Sequence, residues 1–494
     1  MDLARRNETE VLVVGSGNAA LVAALAAQEE GAKVTIVEWA PEDRRGGNSA
    51  FSGGLFRCAF REFDELRPIL TESPTLPFAK VDVEPYTADL FYNDIARVTE
   101  GLADRGLTGF LVENSLPTVS WMASKGVVWE LHLTHASKLK EKFVWRSGTI
   151  PVEARAGGKG LVDMLFESVG RVGIPVHYHA RVIELLMDPS GTIHGVGLLT
   201  PEGKKEFNSR AVVLACGGFE ANPEMRARYL GPGWDLVKVR GTRYNMGDGL
   251  RMALAIGAVP FGHWSGCHAS VIDFEAPDLE AASEDSSRYS YPFSIMVNGE
   301  GERFVDEGED LQVYTYAKTG RRILAQPGRI AFQIFDQKTL PLLRIPYTKS
   351  RPVVADSIEE LAENLGVDTD RLKRTIDGFN QAVQDGQFDS SRRDGKRTQG
   401  IVPPKSNWAV PLDSPPFHAY SAACGITFTY GGLRIDGHSR VLTMEGRVIP
   451  GLWAAGETTG GFFYQNYPSG SGLMRGAVTG RIAGMSAAQY ARGR

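Results

Sequence analysis

The sequence has only four cysteines in 494 residues, and none of them lies in a C-x-x-C pair. They are Cys58, Cys216, Cys267 and Cys424. Iron–sulfur and structural zinc sites gather cysteines at short spacings, so this scatter argues against both kinds of centre and against a disulfide framework. No C-x-x-C-H for haem attachment occurs either. We therefore expect reduced thiols, a cytoplasmic location and no bound metal.

Long apolar runs and a surplus of basic charge are also missing. No run of about 18 apolar residues occurs, so we expect no membrane-spanning helix. The N-terminal MDLARRNETE lacks the apolar segment of a signal peptide. Lys and Arg number 54 against 59 Asp and Glu, a net charge of -5, which gives no reason to expect nucleic acid or an anionic membrane as a partner.

The N-terminal segment VLVVGSGNAALVAALAAQEEGAKVTIVE, residues 11–38, follows the pattern of a dinucleotide-binding βαβ unit. Gly15 and Gly17 allow a tight turn and let the backbone approach a pyrophosphate at the helix N-terminus. Ala20 occupies the third small position. Glu38 ends the second strand at the spacing where a carboxylate accepts hydrogen bonds from an adenosine ribose.

A second run of small and hydroxyl residues indicates that the dinucleotide is FAD. The run is RRGGNSAFSGG, residues 44–54, and an NAD-dependent dehydrogenase would not need it, whereas small side chains make room for a flat ring system. Three later segments place glycines or an acid near the ends of expected strands and helices. They are RAVVLACGG at 210–218, YNMGDG at 244–249 and GLWAAGE at 451–457.

Together these motifs resemble the FAD-binding segments of the fumarate reductase and succinate dehydrogenase flavoprotein superfamily, which also contains the 3-ketosteroid dehydrogenases. The likeness covers nearly the whole chain and is strongest to the tricarballylate dehydrogenase branch. It rests on GSGNAALVAALAA, RGGNS, IMVNGEGERFVDEGED, YTYAK and GITFTYGG. Members with a covalently bound flavin carry a histidine where this chain has Asn48 and Ser49, so the resemblance implies non-covalent FAD.

The resemblance also assigns individual FAD contacts. It implies that Glu457 contacts the ribityl chain and the pyrophosphate, that Asp248 is similarly placed, and that the backbone of residues 180–182 meets the adenine. The predicted FAD-binding residues are Gly15, Ser16, Gly17, Asn18, Ala19, Ala20, Glu38, Trp39, Gly47, Asn48, Ser49, Ser52, Gly53, Gly54, Arg181, Val182, Ala215, Gly217, Gly218, Asn245, Asp248, Gly456, Glu457, Gly472 and Leu473.

The expected substrate site departs from that of the fumarate reductases, whose dicarboxylate is clamped by an arginine in N-R-L-G-G-N and a histidine in H-x-T-M-G-G. This chain has Tyr467 and Thr427 at those two positions, and no relay arginine follows RFVDEGED. A tyrosine hydroxyl donates one hydrogen bond, which suits a ketone, an enone or a single carboxyl oxygen. In the 3-ketosteroid dehydrogenases a similar T-Y-P-G-A-G tyrosine polarises the substrate carbonyl, so Tyr467 is predicted to do the same.

Oxidation of a C–C bond by hydride transfer to flavin N5 also needs a base for the neighbouring proton. Tyr314 or Tyr316 is predicted to be that base, and an ordinary core position is the alternative for at least one of them. Arg288 and Arg303 are candidate cations for a carboxylate-bearing substrate, although the resemblance implies a salt bridge within the cap for Arg303. The predicted catalytic residues are Tyr467, Tyr314, Tyr316, Arg288, Arg303 and Thr427.

The length favours more than one domain. We predict an α/β, Rossmann-like FAD-binding domain split into residues 1–256 and 409–494, with an inserted α+β capping domain at residues 257–408. The inserted segment is more polar and less periodic, and its helix candidates carry N-caps at Ser357 and Thr369. The resemblance implies that the cap closes over the flavin and that substrate binds between the domains.

The sequence thus predicts an FAD-dependent oxidoreductase that dehydrogenates a small molecule at a C–C bond next to a carbonyl or carboxylate. Polycarboxylates similar to tricarballylate and cyclic ketones both remain open as substrates. The alternatives are a fumarate-reductase-like reductase of an unsaturated acid, or a flavin-binding subunit that passes electrons to a partner protein. Since no second redox centre is evident, we expect oxygen, a quinone or a partner protein to exchange electrons with the flavin.

Overall fold

The computed structural model describes residues 8–493. The strands are β1 Glu8–Val14, β2 Val34–Val37, β3 Leu55–Phe56, β4 Val81–Val83, β5 Trp129–Leu131, β6 Ser137–Leu139, β7 Lys142–Trp145, β8 Val152–Ala154, β9 Val176–His177, β10 Arg181–Met187, β11 Ile193–Thr200, β12 Gly203–Leu214, β13 Lys238–Val239, β14 Pro260–Phe261, β15 Cys267–Asp273, β16 Ile295–Asn298, β17 Ala331–Phe335, β18 Val353–Ala355, β19 Phe417–Thr429, β20 Gly432–Leu433, β21 Arg440–Leu442 and β22 Val448–Ala454.

Twelve α-helices are found in the same described range. They are α1 Asn18–Glu29, α2 Ala88–Val98, α3 Arg105–Glu113, α4 Ser115–Ser124, α5 Gly157–Arg171, α6 Pro223–Leu230, α7 Asp248–Ala255, α8 Ser283–Ser286, α9 Tyr316–Leu324, α10 Ile358–Leu365, α11 Thr369–Ala382 and α12 Ser471–Ala491.

The chain divides into two compact units. The first contains the described residues up to Asp235, then Gly241–Cys267, then the described residues from Phe428 onward. The second contains Leu236–Arg240 and His268–Thr427. The larger segment of the second unit, His268–Thr427, begins and ends later along the chain than the predicted cap at 257–408, because both of its boundaries fall at the ends of the long strands β15 and β19 rather than in polar loops. The unit also includes the short segment Leu236–Arg240, which lies before the predicted cap.

An eight-stranded sheet forms the centre of the first unit, in the order β10-β11-β12-β1-β2-β9, with β22 paired to β12 and β21 to β22. Strands β9, β2, β1, β12 and β22 pair in parallel, which is typical of an α/β dinucleotide-binding fold and confirms the predicted fold class. Their core residues, such as Val11, Ile36 and Val213, are fully buried because helices cover such a sheet.

Helix α12 packs directly on α1 through a row of small residues. At Gly480 an added Cβ would lie 2.4 Å from the carbonyl oxygen of Ala19, and at Gly484 it would lie 2.1 Å from that of Ala23. No side chain fits at either position without moving one helix. The two glycines therefore set the distance between α12 and α1.

Replacing Gly480 by alanine is expected to destabilise the protein by about 1–3 kcal/mol, because the new methyl group overlaps the backbone of α1. The melting temperature of the purified protein measures this. Gly170→Ala in α5 is the matched control, since no atom lies within 4 Å of its added Cβ, and helix propensity favours alanine there. Equal melting temperatures for Gly480→Ala and Gly170→Ala would contradict the packing described here.

The second unit contains a six-stranded sheet in the order β13-β19-β17-β16, with β15 and β18 also paired to β19. Helices α10 and α11 cover it with buried residues that include Leu361, Leu372 and Ile376. The predicted N-cap Ser357 is confirmed, since its side chain accepts a hydrogen bond from Glu360 N. The predicted cap Thr369 is wrong: Asp368 caps α11 by accepting from Arg371 N, because aspartate directly precedes the first helical residue.

Candidate flavin and substrate sites

The turn after β1 has the geometry that a pyrophosphate requires. Gly15 has φ +105°, and an added Cβ would lie 2.5 Å from the carbonyl oxygen of Ala215, so only glycine fits. Ala215 immediately follows β12, the parallel neighbour of β1. The turn therefore lies at the carboxyl ends of two adjacent parallel strands and leads into the N-terminus of α1, where anions are favoured.

Glu38 is fixed at the end of β2. Its Oε2 accepts from Ser16 Oγ at 2.6 Å and its Oε1 from Ala40 N at 2.7 Å. Burial raises the pKa of the Glu38 carboxyl. Gly46 N donates to Ser16 Oγ at 3.2 Å, which holds the segment 44–54 against the same turn. The predicted ribose-binding acid and the second glycine-rich segment therefore belong to one site.

Asn18 connects that turn to the N-terminus of α12. Its Nδ2 donates to the carbonyl oxygen of Leu473 at 2.9 Å, and its backbone N donates to Ser49 Oγ at 3.0 Å. Within residues 8–493 its Oδ1 is buried and has no hydrogen-bond partner. A buried acceptor left open between two helix N-termini fits a ligand that carries hydroxyl and phosphate groups, as FAD does.

Arg181 and Asp248 form a bidentate ion pair beside Trp39. The guanidinium donates to the two carboxylate oxygens at 2.7 and 3.0 Å and lies 4.2 Å from the centre of the Trp39 ring. The bond to Asp248 raises the pKa of Arg181. Asp248 is the first residue of α7, so the pair joins that helix to β10.

All of the predicted FAD-binding residues lie in the first unit, and their contact with FAD stays a prediction. Those not described above or below are small or apolar and come from the same turns and helix starts. They are Gly17, Ala19, Ala20, Gly47, Ser52, Gly53, Gly54, Val182, Gly217, Gly218, Gly456 and Gly472.

A pair of buried acids lies in the same unit. Glu220 Oε1 accepts from the side-chain amides of Asn48 and Asn245, the latter at 2.5 Å, while Glu457 Oε1 accepts from Thr429 N at 2.7 Å and from its hydroxyl at 3.0 Å. The two carboxyls interact electrostatically, and Glu220 Oε2 is buried with no hydrogen-bond donor bonded to it among residues 8–493. Burial and the negative charge of Glu457 hold the pKa of Glu220 well above its ordinary value. We therefore expect Glu220 to be the member of the pair that holds a proton.

Tyr467 lies in a buried aromatic cluster with a cation beside it. Its ring centre is 5.0 Å from that of Phe428 and 5.3 Å from that of Phe463. The guanidinium of Arg475 lies 5.2 and 5.1 Å from the same two rings, and burial lowers the pKa of Arg475 to about 10. Arg475 also interacts electrostatically with Tyr467 and with Glu457. The sequence did not single out Arg475 or Glu220, because their importance depends on what they are buried against.

Arg288 and Arg303, in the second unit, are already held by acids. Arg288 pairs with Asp273 and the hydroxyl of Ser350. Arg303 donates to both carboxylate oxygens of Glu307 at 3.0 and 2.6 Å, and it also donates to backbone carbonyls of residues 403 and 404. Their role as substrate ligands stays a prediction, and these ion pairs give each of them a structural role.

Thr427 contacts a cation that the sequence did not indicate, and Tyr316 packs against a histidine that interacts with the same cation. Arg240 Nε donates to Thr427 Oγ1 at 2.9 Å. His268 is completely buried, with its ring centre 4.7 Å from that of Tyr316. Burial, and to a lesser extent the charge of Arg240, hold the pKa of His268 well below its ordinary value, so its ring is neutral. Tyr314 lies two residues before Tyr316 and is also buried.

Among the described residues, 8–493, no group of three or more His, Cys, Asp or Glu side chains is arranged to hold a metal ion. No α-helix there combines the length and the apolar character needed to cross a membrane.

Comparison with known proteins matches residues 10–473 to the family described as FAD binding domain. The fumarate reductase (cytochrome) of Shewanella frigidimarina is 28% identical over 99% of this chain and 78% of its own length. The 3-oxosteroid 1-dehydrogenase of Mycobacterium tuberculosis (strain ATCC 25618 / H37Rv) is 27% identical over 98% of this chain and 99% of its own. Resemblance to the tricarballylate dehydrogenase branch stays a prediction.

Among solved structures, the open conformation of a flavocytochrome c3 fumarate reductase aligns with a TM-score of 0.73 at 27% identity, over 98% of this chain and 78% of that chain. The chain therefore belongs to the FAD binding domain family, which confirms FAD as the predicted cofactor and the predicted resemblance to fumarate reductase and 3-ketosteroid dehydrogenase flavoproteins.

Proposed function

We propose that this protein is an FAD-dependent oxidoreductase that dehydrogenates a C–C bond next to a carbonyl or carboxyl group. The observation that carries the proposal is the position of Tyr467, which is buried beside the cation Arg475 in the FAD-binding unit. Tyr467 is also close in sequence to Leu473, whose carbonyl oxygen accepts a hydrogen bond from Asn18 in the dinucleotide turn. The named activities of the two relatives support it, since one reduces an unsaturated acid and the other dehydrogenates an oxosteroid.

When bound, FAD would supply the hydride acceptor or donor for one carbon of the substrate. Tyr467 donates a hydrogen bond to the oxygen of the neighbouring carbonyl or carboxyl group. Negative charge develops on that oxygen as the adjacent carbon loses its proton, and the positive charge of Arg475 beside Tyr467 stabilises it.

Tyr316 is the better supported of the two candidate bases. Its ring packs against the neutral His268 and at 5.1 Å against Tyr289, whose hydroxyl is bonded to Ser270 Oγ at 2.5 Å. Two side chains that can exchange protons, His268 and Tyr289, thus pack against its ring, and this favours Tyr316 as the base. Tyr314 stays the alternative base.

The reductive direction is the second candidate, favoured by the fumarate reductase relatives. Either direction requires an electron partner, and we propose a separate one, which is oxygen, a quinone or another protein. The four scattered cysteines form no disulfide in the part of the chain that the structure describes, and this supports a reducing, cytoplasmic environment for the protein.

Anaerobic spectroscopy tests the proposed function and its direction. The purified protein should be yellow and should release intact FAD on acid denaturation, because Asn48 and Ser49 offer no site for covalent attachment. Saturated polycarboxylates or cyclic ketones are then expected to bleach the bound flavin. If only an unsaturated acid reacts, and only by restoring the colour of chemically reduced protein, the reductive direction is correct. A flavin that responds to none of these compounds would contradict the proposed function.

A further inference from the structure

Arg240 is a buried cation that forms no ion pair with any carboxylate among the described residues, 8–493. The residue is 5% exposed, and its backbone N donates to the carbonyl oxygen of Ile426 at 2.8 Å at the end of β13. Among residues 8–493 its side chain makes a single hydrogen bond, from Nε to Thr427 Oγ1, and no ion pair. The four N–H groups on Nη1 and Nη2 therefore have no hydrogen-bond partner in the described part of the chain.

Arg240 differs in this respect from Arg288 and Arg303 of the second unit. Arg288 and Arg303 are each paired with a carboxylate, as buried guanidinium groups normally are. His268 interacts electrostatically with Arg240, but its neutral ring supplies no negative charge. A buried guanidinium without an acid is costly to maintain unless a ligand completes it.

We propose that Arg240, oriented by Thr427 and flanked by His268, binds a carboxylate of the substrate. The bond from Nε to Thr427 fixes the plane of the guanidinium, so that its Nη groups present two parallel donors of the spacing that a carboxylate accepts. Because the ring of His268 is neutral, it brings no negative charge that would compete with the substrate carboxylate for Arg240. This inference rests on the proposed function and deepens it, because it selects carboxylate-bearing substrates over the cyclic ketones.

The proposal also explains the residue at position 427. A hydroxyl side chain accepts from Arg240 Nε without neutralising it, whereas an acid at that position would occupy the cation. Thr427 is therefore a positioning residue for Arg240.

Binding of propane-1,2,3-tricarboxylate to the chemically reduced, FAD-loaded protein tests the proposal by calorimetry. A saturated acid cannot react with a flavin that is already reduced, so the measurement reports binding alone. Arg240→Gln is expected to raise Kd about 10- to 100-fold, the loss expected for hydrogen bonds to a charged partner. Arg374→Gln is the control for net charge, since Arg374 is exposed on α11, and its Kd should match the unaltered protein.

Arg240→Lys is a second variant that keeps the proposal testable if Arg240→Gln does not fold. It keeps the charge but loses the fork geometry, so Kd is expected to rise less than in Arg240→Gln while the flavin spectrum stays unchanged. Equal Kd values for the unaltered protein, Arg240→Lys and Arg240→Gln would overturn the proposal. So would a protein that oxidises cyclic ketones but binds no carboxylate, although the proposed function would then stand. A flavin that neither acids nor ketones reduce would refute the proposed function itself.

Discussion

Tyr467→Phe is expected to slow reduction of the bound flavin by substrate about 100- to 1000-fold, the usual cost of removing one donor to a developing oxyanion. The phenylalanine ring preserves the packing against Phe428 and Phe463, so the flavin content should not change. Anaerobic stopped-flow absorbance measures the limiting rate at saturating substrate. The loss should appear in that rate rather than in substrate affinity.

Tyr430→Phe is the matched control. Tyr430 lies in the same aromatic cluster, with its ring centre 5.5 Å from that of Phe428, but it has no assigned role in the reaction. Its variant should reduce flavin within about threefold of the normal rate. If Tyr467→Phe also stays within that range, Tyr467 only lines the site, and the proposed polarisation is wrong.

Glu220→Gln is expected to change how stability depends on pH. In the folded protein the pKa of Glu220 is raised, so the folded state holds a proton that the unfolded state releases above about pH 4.3. The free energy of unfolding therefore falls as pH rises from that value to the raised folded pKa, by about 1.4 kcal/mol per pH unit for this one group. Glutamine cannot titrate, so this contribution should be lost.

Melting temperatures between about pH 5 and pH 8 test the assignment. The melting temperature of Glu220→Gln should increase relative to that of the unaltered protein as pH rises through the range in which Glu220 titrates. Glu457→Gln should instead be the more destabilising change, by about 3 kcal/mol, because it leaves the buried Arg475 without nearby negative charge. A stability difference between Glu220→Gln and the unaltered protein that does not vary with pH would show that Glu220 is not the protonated member.

The sequence predicted the parts of the molecule that depend on local pattern. The two strands and the helix predicted within residues 11–38 are found as β1, β2 and α1. They were predictable because glycine spacing and apolar runs determine such a unit locally. Ser357 was identified as a cap for the same reason. The family assignment confirms the cofactor to which these motifs pointed.

The sequence did not predict which charged side chains pair with each other in the folded protein. In the sequence Arg288 and Arg303 are candidate cations for the substrate, with a salt bridge implied for Arg303, and after folding they pair with Asp273 and Glu307. Nothing in the sequence selects Arg240, which forms no ion pair in the described part of the chain and donates from its side chain to Thr427. Likewise, nothing in the sequence distinguishes Glu220 from the other acids, because its pKa is raised only when folding buries it near Glu457. Side-chain partners depend on tertiary packing, which no short motif encodes.

Product analysis of a single anaerobic turnover tests the central claim most directly. The oxidised protein is mixed with excess propane-1,2,3-tricarboxylate or a saturated cyclic ketone, and the compound that bleaches the flavin is analysed by mass spectrometry. The expected result is one product molecule for each flavin bleached, with two hydrogens fewer and a new C=C bond next to the carboxyl or carbonyl group. Bleaching accompanied by oxidation at a hydroxyl or amine instead, with no C=C bond formed, would contradict the account.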